Sequence, residues 1–170
     1  ASIMQGKLGN YDTDLFRPII AKLEDVSRNV YGENEKIDIA MRVISDHVRG
    51  ATFVINDGVL PSKDGKGYVL RRILRRALRY GKKIGIEHEF LSDLSAKVVD
   101  IMGDVYPDIR NNHPYIVRVI KGEEERFIET LSTGMKVYDE FVEEITSRGE
   151  SVMPGEMIYR LYDTYGFPID

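Results

Sequence analysis

The stretch GYVLRRILRRALRYGKK, residues 67–83, fits an amphipathic helix. Laid out at about 100° per residue from Val69, the residues Ile73, Ala77, Leu70, Leu74 and Leu78 fall between about 0° and 180°. Arg71, Arg72, Arg75, Arg76 and Arg79 fall between about 200° and 340°, and Lys82 and Lys83 join them. The two halves do not mix. The pattern predicts a helix held by its apolar half, each larger aliphatic contributing roughly 1.5–3 kcal/mol on burial, with a basic half left to bind.

The same periodicity runs through the rest of the chain. Leu15, Phe16, Ile19, Ile20 and Leu23 follow the N-cap types Asp12 and Thr13, with Pro18 kinking that helix or marking its start. A second helix is predicted from about Ile37 to Ile55, its stripe carried by Ala40, Val43, Ile44, Val48 and Ala51, stopping at Asn56, Asp57 and Gly58. Pro61 to Gly67 reads as a loop, and a further helix covers Phe90 to Met102. After Pro114 a pattern of about thirty residues predicts the longest helix, near Pro114–Arg148. It places Ile120, Phe127, Leu131, Tyr138, Phe141 and Ile145 inward, and Glu123, Glu124, Glu125, Asp139, Glu143 and Glu144 mostly outward. A last helix opens near Pro154, buries Met157, Ile158, Leu161, Tyr162 and Tyr165, and ends at Gly166 and Pro168. No β-branched alternation competes. The expectation is an all-α, multi-helix bundle forming a single domain over residues 1–170.

Composition narrows the function. The 170 residues carry a net charge of −4, yet residues 63–83 hold nine Lys or Arg against one acid, +8, leaving −12 for the remainder. A basic strip on an acidic body steers anionic partners to one place. With no cysteine, disulfides, thiolate metal sites and cysteine nucleophiles are excluded, which fits a reducing, cytoplasmic setting. No apolar run approaches the ~20 residues of a membrane span. The first residues contain no secretion signal, and an alanine start directly on an apolar pattern reads as a piece of a longer chain.

An arginine face has an ordinary explanation, namely solvation or pairing with acids, for which Glu123, Glu124, Glu125 and Glu129 are at hand. Five arginines on one face argue for more than that, because like charges repel and an exposed ion pair returns only ~0–1 kcal/mol. Guanidinium forks match phosphate oxygens. The strip therefore reads as a track along a nucleic-acid backbone, with Tyr68 and Tyr80 flanking it as stacking or packing groups.

The run RVISDHVRGATFVINDGVLPSKDGKGYVLRRILRRALRYGKKIG, Arg42 to Gly85, resembles the helical tRNA-recognition region of the alanyl-tRNA synthetases. So do NYDTDLF at Asn10 to Phe16 and RLYDTYGFP at Arg160 to Pro168, three motifs in the family's order spanning the chain. The resemblance implies a helical part of a class II aminoacyl-tRNA synthetase, following a catalytic core that joins alanine to tRNA(Ala) with ATP and Mg. The family's GMGLER-type segment is missing, so this part is expected to be catalytically inactive, without an ATP or alanine site. The family's zinc site lies in an editing domain expected beyond Asp170. The implied partners are the tRNA(Ala) acceptor stem and the enzyme's own catalytic domain.

The family reads a G·U wobble pair, whose guanine leaves an unpaired amino group in the broad minor groove of A-form RNA. Asp163 matches the family's aspartate for that donor. Lys63 stands where the family usually has Asn in a PSN segment; lysine only donates, so Asp64 or a backbone group is needed as the acceptor. Arg71, Arg72, Arg75, Arg76, Arg79, Lys82 and Lys83 are implied backbone contacts.

The remaining features read as structural. GKG at Gly65 to Gly67 is no phosphate loop, since Gly58 is too far upstream and Tyr68 replaces the Ser or Thr. His47 beside Asp46 reads as a hydrogen-bonded packing residue, and His88 and His113 lack ligand spacing, so no metal is predicted. Two rival readings stay open: a module binding RNA or DNA backbones without sequence preference, and a structural domain docking an acidic protein surface.

Overall fold

The computed structural model describes residues 1–163; Asp163 is placed only through its backbone, its side chain lying outside the described residues. Among the described residues the chain is all-α, as the periodicity predicts. Two 3-10 turns, Ile3–Gln5 and Asn10–Asp12, precede helices α1 (Arg17–Ser27), α2 (Glu35–Asn56), α3 (Gly65–Lys83), α4 (Leu91–Met102), α5 (Pro107–Asn111), α6 (His113–Ser147) and α7 (Gly155–Asp163). The contacts group these into two compact units, Ala1–Glu124 and Glu125–Asp170.

In the first unit α2 is the central element, packing on α1, α3, α4 and α5. Asn34 caps it, its Oδ1 accepting from the Lys36 N–H at 3.0 Å, so the helix starts at Glu35, two residues before the start predicted at Ile37. Ala40, Met41, Ile44, Val48, Ala51 and Ile55 are fully buried along it, against Ile19, Ile20 and Leu23 of α1, Leu70 and Leu74 of α3, and Leu91, Leu94 and Val98 of α4 at the centre of the unit.

Local chemistry moves some boundaries. Asp12 and Thr13 do not cap α1: they close the 3-10 turn, Thr13 donating from Oγ1 to the Asn10 carbonyl at 2.6 Å, and α1 begins at Arg17 with Pro18 in its first turn. The short α5 was not foreseen, being below the length at which periodicity shows.

The second unit consists of α6 from Glu125 onward and α7. Phe127, Phe141, Ile145 and Leu161 are buried, and the Arg160 guanidinium lies 5.9 Å from the Phe141 ring centroid. Tyr138, expected inward, is 39% exposed, and Tyr162 of α7 is exposed as well. A tyrosine can keep its ring against neighbours while its hydroxyl stays wet, which periodicity alone does not register.

Candidate nucleic-acid interface

The basic strip splits into two rows. Leu70, Leu74, Ala77, Leu78 and Gly81 bury one side of α3, whereas Val69, taken as the edge of the apolar half, is 55% exposed. The buried arc is thus narrower than the apolar arc, and the helix is rolled so that Arg71 and Arg75 flank it. Both point to α6. Glu123 Oε1 accepts from Arg71 Nε at 3.2 Å and from Arg75 Nε at 2.7 Å. The glutamate side chain is 2% exposed, the arginines 29% and 17%. Arg79 is half-buried. For Arg71 and Arg75 intramolecular pairing is what the fold uses.

The outer row is different. Arg72, Arg76, Lys82 and Lys83 are exposed, and among the described residues Arg72, Arg76 and Lys83 face no carboxylate within salt-bridge distance. Instead they lie on tyrosines of their own helix. The Arg72 guanidinium is 6.0 Å from the Tyr68 centroid, Arg76 is 5.8 Å and the Lys83 ammonium 5.2 Å from that of Tyr80. Lys82 donates to the Glu87 carbonyl at 3.0 Å. The row from Arg72 to Lys83 spans roughly 16 Å along the axis.

The loop before α3 brings Lys63 and Asp64 to the strip's N-terminal end, and the first turn of α3, which begins at Gly65 inside the predicted loop, adds Lys66; all three are exposed. Gly67 lets the loop lie against the first turn: a Cβ there would sit 2.2 Å from both the Leu60 carbonyl oxygen and Ser62 Oγ. Ser62 in turn donates to the Asp64 carbonyl at 2.8 Å. Asp64 occupies the N-cap position without its side chain capping the helix, so its carboxylate stands beside Lys63 in solvent. The other sequence-predicted reader, Asp163, ends α7, and its side chain lies outside the described residues.

Glu123 and Glu124, read as mostly outward, are both buried. Glu124 accepts from the backbone N–H groups of Phe90 at 2.9 Å, Leu91 at 3.0 Å and Ser92 at 3.4 Å, capping α4 from another helix. Burial raises its pKa against these three hydrogen bonds, which act to lower it. The signal was present in the stripe Ile116, Ile120, Phe127, which has its gap at these two glutamates. His47 is half-buried with Nδ1 3.3 Å from Asp46 Oδ2, and burial lowers its pKa, with Arg76 acting in the same direction. Among the described residues no group of three or more His, Cys, Asp or Glu is placed to hold a metal, and no helix is long and apolar enough to cross a membrane.

Comparison with known proteins bears on what this surface serves. The profile of the family described as tRNA synthetases class II (A) matches residues 1–170. The chain is 48% identical over 169 residues to an alanine–tRNA ligase of Desulfosudis oleivorans, covering 99% of this chain and 19% of the ligase. It is 48% identical over 170 residues to that of Carboxydothermus hydrogenoformans, 100% and 20%, and 50% identical over 169 residues to that of Geobacillus kaustophilus, 99% and 19%. The chain spans about a fifth of the length of these relatives. Because the profile runs through the whole chain, these helices lie within the region it describes, and the expectation of a separate domain following the catalytic region is corrected. With α3 bearing a split basic strip and a class II (A) match from its first residue to its last, the chain belongs to the class II (A) tRNA synthetases.

Proposed function

We propose that this chain is the helical, tRNA-holding part of an alanyl-tRNA synthetase, gripping the acceptor stem of tRNA(Ala) so that its G·U wobble pair is read. The observation that carries it is the outer row of α3: Arg72, Arg76 and Lys83, exposed and lying over the rings of Tyr68 and Tyr80. Such a row suits phosphates along one strand of an A-form stem, giving hold and register without sequence preference. Reading falls to the ends of the strip. Lys63 supplies a donor to a base carbonyl or phosphate, the neighbouring Asp64 carboxylate supplies the acceptor that lysine lacks, and Asp163 accepts from the free guanine amino group. The inner arginines serve the fold, so fewer phosphate contacts follow than the sequence count of seven cations.

In this reading the complete cytoplasmic enzyme joins alanine to tRNA(Ala) with ATP and Mg on residues outside this chain, and carries its zinc site elsewhere. The helices described here position the RNA and perform no chemistry. The test is binding to an acceptor-stem minihelix with G·U and to the same RNA with G·C, each across a salt series. Three outer-row contacts plus one or two lysines predict a slope of log K on log salt of about −3.6 to −4.5 at about −0.9 per contact, with tighter binding to G·U. Asp163→Asn should lower the G·U preference by roughly 1–3 kcal/mol. Equal binding of both stems refutes wobble reading; absence of binding refutes the RNA role.

A further inference from the structure

We propose that Glu123 is a positioning residue that withholds Arg71 and Arg75 from the RNA and so limits the phosphate grip to the outer row of α3. The inference rests on reading α3 as an RNA-facing helix and adds which of its cations are allowed to act. Arg71 and Arg75, one turn apart, both present Nε to the same Oε1 of a carboxylate that is 2% exposed. A bidentate grip on phosphate through the Nε edge of a guanidinium needs that same N–H. To reach RNA by that edge either arginine must leave Glu123, and taking one of its counter-charges from a buried carboxylate costs more than an exposed phosphate contact returns.

The clamp also sets the roll of α3. Arg71 and Arg75 lie roughly 100° around the helix from Arg72 and Arg76, so anchoring the first pair against α6 turns the second pair to solvent. Phosphate contacts raise affinity for every helical RNA alike. Two further free arginines would therefore strengthen attachment to stems of any sequence and in registers that the outer row alone does not hold. The carboxylate trades attachment strength for selectivity.

The experiment measures the salt slope of minihelix binding by the full-length protein and its variants. Glu123→Gln, of equal size and without charge, should steepen the slope by about 1 to 2, the value for one or two added contacts, and should tighten binding to a duplex of unrelated sequence. Glu123→Asp, which keeps the charge, should stay close to the parent. Arg71→Gln and Arg75→Gln should leave the parent slope unchanged, whereas Arg72→Gln and Arg76→Gln should each make it shallower by about 0.9. Combining Glu123→Gln with both inner arginine changes should return the slope to the parental value. A shallower slope in Arg71→Gln or Arg75→Gln overturns the proposal, and this comparison stands even if Glu123→Gln fails to fold. An unchanged slope in a folded Glu123→Gln also overturns it. If the parent protein binds no minihelix at any salt, the RNA reading and this proposal fall together, a result visible before any variant is made.

Discussion

Replacing Glu124 by alanine should destabilise the first unit by about 3 kcal/mol, a figure built from the two amides its carboxylate holds firmly and from its place at a helix N-terminus. The bonds from Phe90 and Leu91, at 2.9 and 3.0 Å, are strong; that from Ser92, at 3.4 Å, is marginal. Leaving two buried donors unpaired costs about 2–6 kcal/mol, and loss of an anion at a helix N-terminus adds up to about 2. Alanine is spared the burial of a carboxylate, which offsets part of this and leaves a balance of about 3 kcal/mol. Thermal unfolding should register a fall of about 10 °C. Glutamine keeps an acceptor oxygen at the same place and should cost only about 1 kcal/mol.

The pH dependence gives an independent check with a definite sign. Burial raises the Glu124 pKa above its ordinary value near 4.5, so the folded state binds this proton more tightly than the unfolded chain does. The contribution of this group to stability is therefore greatest below the unfolded pKa and falls as pH rises through the folded pKa, after which it is flat. Urea unfolding of the parent and of Glu124→Gln across that window measures it: the parent's stability relative to the variant should decline as pH increases. A relative stability that climbs with pH, or an alanine variant as stable as the parent, would refute the reasoning.

Three further outcomes follow from the same structure. Gly81→Ala would place a Cβ 2.3 Å from Phe90 Cζ and should destabilise by about 1–3 kcal/mol despite better helix propensity, whereas Gly50→Ala, with nothing within 4 Å, should stabilise α2 by about 0.5–1, both read by urea unfolding. Asn34→Ala removes the side-chain cap of α2 and should cost about 1 kcal/mol in the same assay. His47, lowered by burial from its ordinary 6.5, binds its proton less tightly when folded, so its contribution to stability is full above 6.5 and declines as pH falls toward the folded pKa; His47→Gln should remove that decline.

What the sequence disclosed depended on whether a residue's place follows from its own helix or from another. Four of the five residues of the predicted α2 stripe, Ala40, Ile44, Val48 and Ala51, are buried and Val43 is half-buried at its edge, because burial against any partner demands the same spacing. The α3 strip was legible as basic and amphipathic, yet its division into two rows was not: which arginines meet an acid depends on the roll of α3 against α6, a long-range fact. For the same reason Glu123 and Glu124 read as solvent-facing until their partners, α3 and the first turn of α4, are known. The positions of Tyr68 and Tyr80 beside the strip follow from the sequence, whereas the placing of Arg72, Arg76 and Lys83 over their rings follows from side-chain conformation. Residues governed by pairing across the fold leave only a gap in a local pattern.

Gly81 lies against Phe90, the amide of Phe90 is held by Glu124, and the next residue back along α6 holds Arg71 and Arg75 of the helix that carries Gly81. The links form a closed mechanical circuit that leaves α3 and returns to it. Opening at one link strains the others, so the start of α4 should not fray on its own. In hydrogen exchange the amides of Phe90 and Leu91 should open together with the interior of α3, as one cooperative block.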